Sequence, residues 1–260
     1  MKMMPKNLTI SDAAAFLADY ASRLWGCGAT CVRIEKNVGR IAAALGVDCE
    51  LTVMPAQVEV SVCEPGTPHT VVAARRVKGA GINFDANARL SRLSWAIADG
   101  RVDYAGALAR LEEIKHLRPT GQWEVLALAS LANAAFCRLF GGDAAAMAVV
   151  FVATLAGFRL KQIMLADGHD LRMAVLCAAF FSASISAGAA LFGWGSTPEI
   201  ALATSVLYLI PGVPYINAAS DLIARHYLCS FSRLMDACVL TACLSAGLCA
   251  GMFILGLADF

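Results

Sequence analysis

The stretch YLIPGVPYINAASDLI, residues 208–223, decides how this chain folds, because it is apolar enough to enter a membrane and yet is broken. Pro211 removes the amide that would bond to the Leu207 carbonyl, and Pro214 removes the amide that would bond to the Ile210 carbonyl. A carbonyl freed in this way is costly if it faces lipid. The break is therefore expected to lie buried in protein or to line a watery cavity, as broken helices do at transport sites.

Polar residues follow the break at helical spacing. Asn217 and Asp221 are four residues apart and share a face, and Asp236 is a second acidic residue with Arg233 one turn before it. We predict a substrate pathway in which Asn217 contacts the substrate, while Asp221 or Asp236 carries a proton or pairs with a cation. The residues of this predicted site are Pro211, Gly212, Pro214, Asn217, Asp221, Arg233 and Asp236. The alternative is a simple proline kink, with Asp221 at the cytoplasmic interface, solvated or paired with Arg225 or Arg233.

The composition divides the chain into two parts. Of its residues, 58% are hydrophobic and 16% are charged, whereas a soluble domain is about a quarter charged. Residues 1–122 hold 15 of the 21 Lys and Arg and 12 of the 20 Asp and Glu. A small cytoplasmic α+β domain at 1–122 is therefore predicted to precede a transmembrane helical bundle at 123–260, with the seam near HLRPTGQW (116–123).

The second part contains about five candidate transmembrane helices, of which the fourth is the broken one. A spanning helix needs about 20 mainly apolar residues, because the hydrocarbon core is about 30 Å thick. The predicted spans are about 124–141, 144–163, 172–194, 199–223 and 234–257.

The loops between these spans predict the orientation. The loops 159–172 and 224–233 hold five Lys or Arg, and the loops 141–143 and 193–199 hold none. The positive-inside rule places the basic loops in the cytoplasm. The N-terminus is then cytoplasmic and the C-terminus periplasmic, in a bacterial inner membrane. The first twenty residues lack the apolar core of a signal peptide, which agrees with this orientation.

Small residues recur every four positions in two of the spans. They are Ala178, Ser182, Ser186 and Ala190 in the third span and Gly247 and Gly251 in the fifth. Such spacing lets helix backbones approach closely in lipid. It predicts contacts within the bundle, and an interface with a partner or a second copy is the alternative.

The front part changes its hydrophobic period along the chain. Helical spacing covers 10–25, with Ser11 as the expected cap, and then 28–46, 84–99 and 103–117. Between the second and third of these helices, the runs CELTVMP, QVEVSVCEP and HTVVAARRV are short and β-branched, as strands are. The order α-α-β-β-β-α-α predicts a small α+β domain with an antiparallel sheet.

No enzyme motif is visible. The sequence has no G-x-S-x-G, no Walker motif and no glycine fingerprint of a dinucleotide site. The four histidines have no ligand spacing, and buried thiols are favoured over a metal or disulfide for Cys27 and Cys31. We therefore predict no cofactor, no metal and no catalytic site, and the basic run ARRVKG (74–79) alone does not indicate nucleic acid.

Several segments then resemble one family in order and spacing. IPGVPYINAASDLIARHYLCSFSR (210–233), GATCVRIEKNVGRIAAALG (28–46), LSRLSWAIADG followed by ALARLEEI, and the GGD at 141–143 are similar to segments of the threonine/serine exporter family. The resemblance covers about 12–257. Ile34 stands where the family pattern has valine.

The resemblance implies an exporter of small polar metabolites. Long family members carry a second membrane bundle, whereas this chain stops after the first. In that respect it is similar to the family's two-component branch, in which a short subunit exports succinate with a separate small membrane protein. Succinate, a dicarboxylate, would need balancing charge, for which Arg138, Arg225 and Arg233 are candidates. Threonine or serine export is the alternative, and a membrane-anchored enzyme or sensor with its activity in the N-terminal domain is a further one.

Overall fold

The structure is a computed structural model that describes residues 8–66, 69–77, 81–117 and 120–256. Parts of three predicted features lie outside these residues: Lys78 and Gly79 of the basic run, Arg118 and Pro119 of the seam, and Leu257 at the end of the last span. The chain forms two compact units. The N-terminal unit comprises residues 1–118 and 213–234, and the helical unit comprises 119–212 and 235–260. The segment 213–234 thus groups with the front of the chain, although the sequence assigned it to the bundle.

The N-terminal unit has the predicted order of elements. They are α1 (Ile10–Gly26), α2 (Cys31–Leu45), β1 (Asp48–Met54), β2 (Gln57–Cys63), β3 (Thr70–Arg76), α3 (Phe84–Ala98) and α4 (Tyr104–Lys115). The strands form one antiparallel sheet in the order β1-β2-β3. The expected cap of α1 was wrong: Thr9, not Ser11, caps this helix, and Asp12 completes a capping box.

The remaining elements include the predicted broken helix. They are α5 (Gln122–Leu139), α6 (Ala144–Ala166), α7 (Leu171–Leu191), α8 (Pro198–Thr204), a 3-10 turn (Leu207–Leu209), α9 (Gly212–Ile223) and α10 (Tyr227–Ile254). Among the described residues, α6, α7 and α10 are each long and apolar enough to cross a membrane. Pro198–Leu209 and α9 pass the same test only as a pair, bent by 61°. The structure thus contains three candidate spans, or four with the bent pair, and five spans remain a prediction.

The core of the N-terminal unit lies between its helices and the sheet. On β2, Val58, Val60 and Val62 are fully buried on one face, each worth about 1.5–3 kcal/mol of burial. Tyr20 on α1 donates a hydrogen bond of 2.8 Å to the Leu90 carbonyl on α3. Cys229, near the start of α10, belongs to the same core. This burial explains why the segment 213–234 groups with the front of the chain.

Asp143 of the GGD sequence links α6 to the loop before α8. Its carboxylate accepts hydrogen bonds from the Ala146 amide at 2.7 Å and from the Ser196 amide and hydroxyl at 2.5 and 2.9 Å. Its own amide donates to Thr197 Oγ1 at 3.0 Å. The Ala146 bond first, and then the Ser196 bonds, lower the pKa of Asp143. Gly195 has φ +89°, and a Cβ there would lie 2.8 Å from the carboxylate.

We expect Asp143→Ala to lower the melting temperature by a few degrees at neutral pH, because the helix cap and the bonds to the loop are lost. The pKa of this carboxyl is lowered in the folded state. The ionised carboxylate therefore contributes fully to the stability of the fold at pH values above the ordinary carboxyl pKa. This contribution disappears as the pH falls through the lowered pKa of the folded state. Thermal melting of the purified proteins in detergent should show a difference in melting temperature between the wild type and Asp143→Ala at neutral pH, and a smaller difference in acid. Asp143→Asn is the control that keeps an acceptor, and an equal difference at both pH values would contradict the assignment.

The small residues of α10 pack on α7. A Cβ at Gly247 would overlap the Leu176 carbonyl and lie 2.9 Å from the Ala179 Cβ. A Cβ at Gly251 would lie 2.8 Å from the Ala183 Cβ. The G-x-x-x-G sequence therefore serves close packing of two helices within the chain.

Gly251→Leu should lower the free energy of unfolding by about 1–3 kcal/mol, because the added side chain has no room against α7. The matched control is Gly188→Leu on α7, where a Cβ would meet nothing within 4 Å. Thermal melting of both variants in the same detergent compares them. Equal melting temperatures for the two variants would refute the close contact.

Candidate functional site

At the break between α8 and α9, the carbonyls that the two prolines free accept hydrogen bonds within short turns. The Leu207 carbonyl, which Pro211 deprives of its helical amide, accepts from the Ile210 amide at 3.1 Å. The Ile210 carbonyl, deprived by Pro214, accepts from the Gly212 amide at 2.8 Å. Local backbone hydrogen bonds thus satisfy both of the carbonyls that the two prolines free.

A third carbonyl at the break is bound by another helix. Thr204 ends α8, so its carbonyl has no amide of a continuing helix, and Asn133 on α5 donates to it at 3.1 Å. The same Asn133 amide group donates to Thr154 Oγ1 on α6 at 2.6 Å. Asn133, Thr154 and Thr204 are all buried. One side chain therefore connects α5, α6 and the end of α8.

A second polar link lies on α7 and the 3-10 turn. Ser182 Oγ donates to the Ala153 carbonyl at 3.0 Å and lies 2.9 Å from the Tyr208 hydroxyl. Gly157 makes room for this link, because a Cβ there would overlap both hydroxyl oxygens. One turn along α7, the Ser186 hydroxyl is fully buried and has no hydrogen-bond partner among the described residues.

We call these residues the break cluster: Asn133, Thr154, Ser182, Ser186, Thr204 and Tyr208. Its groups are amides and hydroxyls, which can both donate and accept hydrogen bonds. A buried hydroxyl without a partner among the described residues, as at Ser186, is uncommon in proteins. The sequence reading assigned Ser182 and Ser186 to packing only, and it missed the other four. An asparagine in the middle of an apolar helix was the available signal for Asn133.

The polar residues beyond the break meet the start of α2. Thr30 precedes α2 but makes no side-chain capping bond, and the amide of the first helical residue, Cys31, has no acceptor within its own helix. Asp221 Oδ1 on α9 accepts from the Cys31 amide at 2.9 Å. The Asp221 side chain is fully buried. A carboxyl group 190 residues away in sequence therefore completes this helix end and benefits from the positive end of the helix dipole.

Arg233 forms an ion pair with the second oxygen of the Asp221 carboxylate. Its Nε lies 3.4 Å from Asp221 Oδ2, and its Nη2 donates to the Ala29 carbonyl at 2.5 Å. Its guanidinium also stacks over the Trp25 ring, 4.1 Å from the ring centre. Asp221 Oδ2 makes no hydrogen bond to any described residue. The pair is thus a close ion pair with one incompletely satisfied oxygen.

Asn217 and Cys31 complete the group, which we call the Asp221 cluster: Trp25, Ala29, Cys31, Asn217, Asp221 and Arg233. Asn217 donates to the Gly28 carbonyl at 2.8 Å. A hydrogen bond with the Cys229 thiol, then burial, then the charge of Asp221 raise the pKa of Cys31. Cys31 is therefore a neutral, buried thiol, and the cluster fixes the second half of α9 and the first part of α10 to the loop between α1 and α2.

The structure brings some of the predicted site residues together and separates others. Asn217, Asp221 and Arg233 share the Asp221 cluster, whereas Pro211 and Gly212 lie at the break. Asp236 is exposed on α10 and belongs to the helical unit; within the described part of the chain it forms no ion pair. Arg225, the alternative partner of Asp221, lies in the turn after α9 with φ 67°.

No group of three or more His, Cys, Asp or Glu side chains that could hold a metal ion occurs in the described ranges. All ten cysteines are free, and Cys27 and Cys31 are both buried. The polar side chains of the break cluster and the Asp221 cluster interact through hydrogen bonds and an ion pair.

Comparison with known proteins identifies the family. The family model described as "Putative threonine/serine exporter" matches residues 15–255. "Probable succinate transporter subunit YjjP" of Escherichia coli (strain K12) is 28% identical over 233 residues, which cover 88% of this chain and 90% of that protein. The protein of the same name from Klebsiella aerogenes is 27% identical over 232 residues, covering 88% and 89%. No solved structure matches the chain. Since the family model spans nearly all of α1 to α10, this multi-pass membrane protein belongs to the threonine/serine exporter family of transporters.

Proposed function

We propose that this chain is one subunit of a secondary exporter of small polar metabolites in the bacterial inner membrane. It works with a separate small membrane subunit, has its N-terminus in the cytoplasm and its C-terminus in the periplasm, and catalyses no reaction. The observation that carries the proposal is the broken helix between α8 and α9, bent by 61°. Transporters use such breaks at substrate sites. Here the Leu207, Ile210 and Thr204 carbonyls are already hydrogen-bonded, so side chains at the break are the proposed substrate contacts.

The break cluster supports a pathway at this position. Asn133 and Tyr208 bring side chains from two elements to the break, and Ser186 keeps a buried hydroxyl without a partner among the described residues. A small polar substrate can exchange hydrogen bonds with these groups as it passes, because each is both a donor and an acceptor. In this proposal Pro211, Gly212 and Pro214 keep the break open, and the break cluster contacts the substrate.

The Asp221 cluster is proposed to control the second half of the broken helix. Asn217 and Asp221 bind α9 to the Gly28 carbonyl and to the start of α2. Movement of α9 therefore requires these bonds to break, which links the pathway to the N-terminal domain. Protonation of Asp221 would weaken its pairing with Arg233 and release α9, so that one proton could accompany transport. Asp236 remains the second candidate for the proton.

Succinate is the first candidate substrate, because both relatives are named subunits of a probable succinate transporter. A dicarboxylate needs a cation on its path. Arg225, in the turn after α9, is the first candidate, and Arg233 would have to give up its pairing with Asp221. Arg138 is already bonded to the Gly142 carbonyl at 3.1 Å. Threonine or serine is the second candidate, favoured by the uncharged amide and hydroxyl groups of the break cluster, which match a neutral hydroxy amino acid.

Efflux from preloaded bacterial cells tests this proposal. Cells without their own exporters would carry this chain alone, the candidate partner alone, or both, and would be loaded with labelled succinate and labelled threonine. Succinate loss only with both proteins is the expected result. Efflux of labelled threonine instead would identify the second candidate, threonine or serine, as the substrate. Loss with the partner alone would make this chain a sensor, and no loss with both proteins in the membrane would refute the proposal.

A further inference from the structure

A cleft between α3 and α4 of the N-terminal unit is lined by positive charge. Its volume is about 580 Å³, within the size range of small-ligand sites, about 300–1,000 Å³. Four arginines and one glutamate contribute the charged groups of its wall. They are Arg89, Arg92, Arg101, Arg110 and Glu113. None of its lining residues belongs to the break cluster or to the Asp221 cluster, so no function proposed above uses it.

The positive charge in the cleft is only partly compensated. Arg89 pairs with Asp85 at 2.9 Å, and Arg101 pairs with Asp99. Arg92 and Arg110 form no ion pair with any residue that the structure describes. Arg92 and Arg110 therefore line the same cavity as two ion-paired arginines, and Glu113 is the one carboxylate among the described residues of its wall.

The floor and one wall of the cleft are ordered by packing. Leu93 and Ala96 on its floor are buried at 3% and 8% exposure, whereas the Trp95 ring on its wall is 53% exposed. Arg40 of α2 stacks on Trp95, 3.7 Å from the ring centre, and Arg40 is itself bonded to Ser94 Oγ at 2.6 Å. The aromatic wall is thus held in place by the α2–α3 contact.

We propose that this cleft binds a multivalent small anion carrying phosphate or carboxylate groups. Guanidinium groups bind such oxygens in pairs through two parallel hydrogen bonds, so Arg92 and Arg110 are the expected contacts. The anion comes either from solution or from the headgroup of an acidic lipid. A site of this kind would let the N-terminal domain respond to an anion independently of the transport pathway.

Pyrophosphate binding to the full chain in nanodiscs of neutral lipid tests the soluble source. We expect saturable binding by calorimetry, weakened at least about tenfold in Arg92→Gln/Arg110→Gln, because two charge-assisted contacts are lost. The control is Arg76→Gln, an exposed arginine of β3 outside the cleft, which should bind like the wild type. An unchanged melting temperature of the double variant shows that the fold is retained.

Nanodiscs that contain phosphatidylglycerol test the lipid source. If the headgroup is the ligand, pyrophosphate does not bind in neutral lipid, and native mass spectrometry finds phosphatidylglycerol retained by the wild type and the control but not by the double variant. Either pattern supports the anion site and identifies its source. If neither probe distinguishes the double variant from Arg76→Gln, the proposal is overturned.

Discussion

Asp221→Ala is expected to lower the free energy of unfolding of the N-terminal unit by about 3–5 kcal/mol, because the arginine of the ion pair stays in the protein without its counter-charge. In the wild type, Asp221 is fully buried, 3.4 Å from Arg233. The substitution also removes the acceptor of the Cys31 amide at the start of α2. Thermal melting of the full chain in detergent should show a loss of more than ten degrees, or a separate early transition.

Two further variants distinguish the ion pair from a general effect of losing an acid. Asp236→Ala removes an exposed acid on α10 and should change the stability by no more than about 0.5 kcal/mol. In the double variant Asp221→Ala/Arg233→Met, the free energy of unfolding should fall by less than the sum of the losses in the two single variants, since no unpaired cation remains. Additive effects in this cycle would mean that Asp221 and Arg233 do not interact.

Asn133→Leu should reduce the export rate at least about tenfold, which corresponds to about 1.4 kcal/mol at the transition state. The substitution keeps the size of the side chain but removes both donor bonds, to the Thr204 carbonyl and to Thr154 Oγ1. The Thr204 carbonyl is then left without its bond at the break, at a cost of about 1–3 kcal/mol. The measurement is the initial rate of substrate efflux, corrected for the amount of protein in the membrane.

Ser130→Ala is the matched control for Asn133→Leu. Ser130 lies one turn earlier on α5 and is equally buried, and its one hydrogen bond among the described residues goes to the Leu126 carbonyl of its own helix. Its removal should leave the efflux rate within about a factor of two, since the backbone carbonyl keeps its helical amide. A similar loss in both variants would show that α5 acts through its packing and that the break cluster has no special role.

Local patterns in the sequence predict the N-terminal elements well. The alternation of Val58, Val60 and Val62 predicts a strand with one buried face, and the structure confirms it. The prolines at 211 and 214 predict the break, because they act on the backbone at their own positions. The spacing of Gly247 and Gly251 predicts close helix packing, although it does not name α7 as the neighbour.

Contacts between distant segments could not be predicted in this way. Asp221 follows the break by helical spacing, but its bond to the Cys31 amide joins residues 190 positions apart. Nothing in a single sequence indicates that Thr30 fails to cap α2 and that a carboxyl group from α9 replaces it. Asn133 is similar, because its partner is a carbonyl that becomes free only where α8 ends at Thr204.

The most direct test of the central claim is transport by purified protein. This chain and its candidate partner would be reconstituted together in liposomes without ATP. The liposomes would be loaded with unlabelled succinate or, in a parallel preparation, with unlabelled threonine, and the same compound would be supplied with label outside. The account predicts exchange of label that needs both proteins and falls at least about tenfold with Asn133→Leu. Absence of exchange of either succinate or threonine from correctly inserted protein, or exchange that Asn133→Leu leaves unchanged, would contradict it.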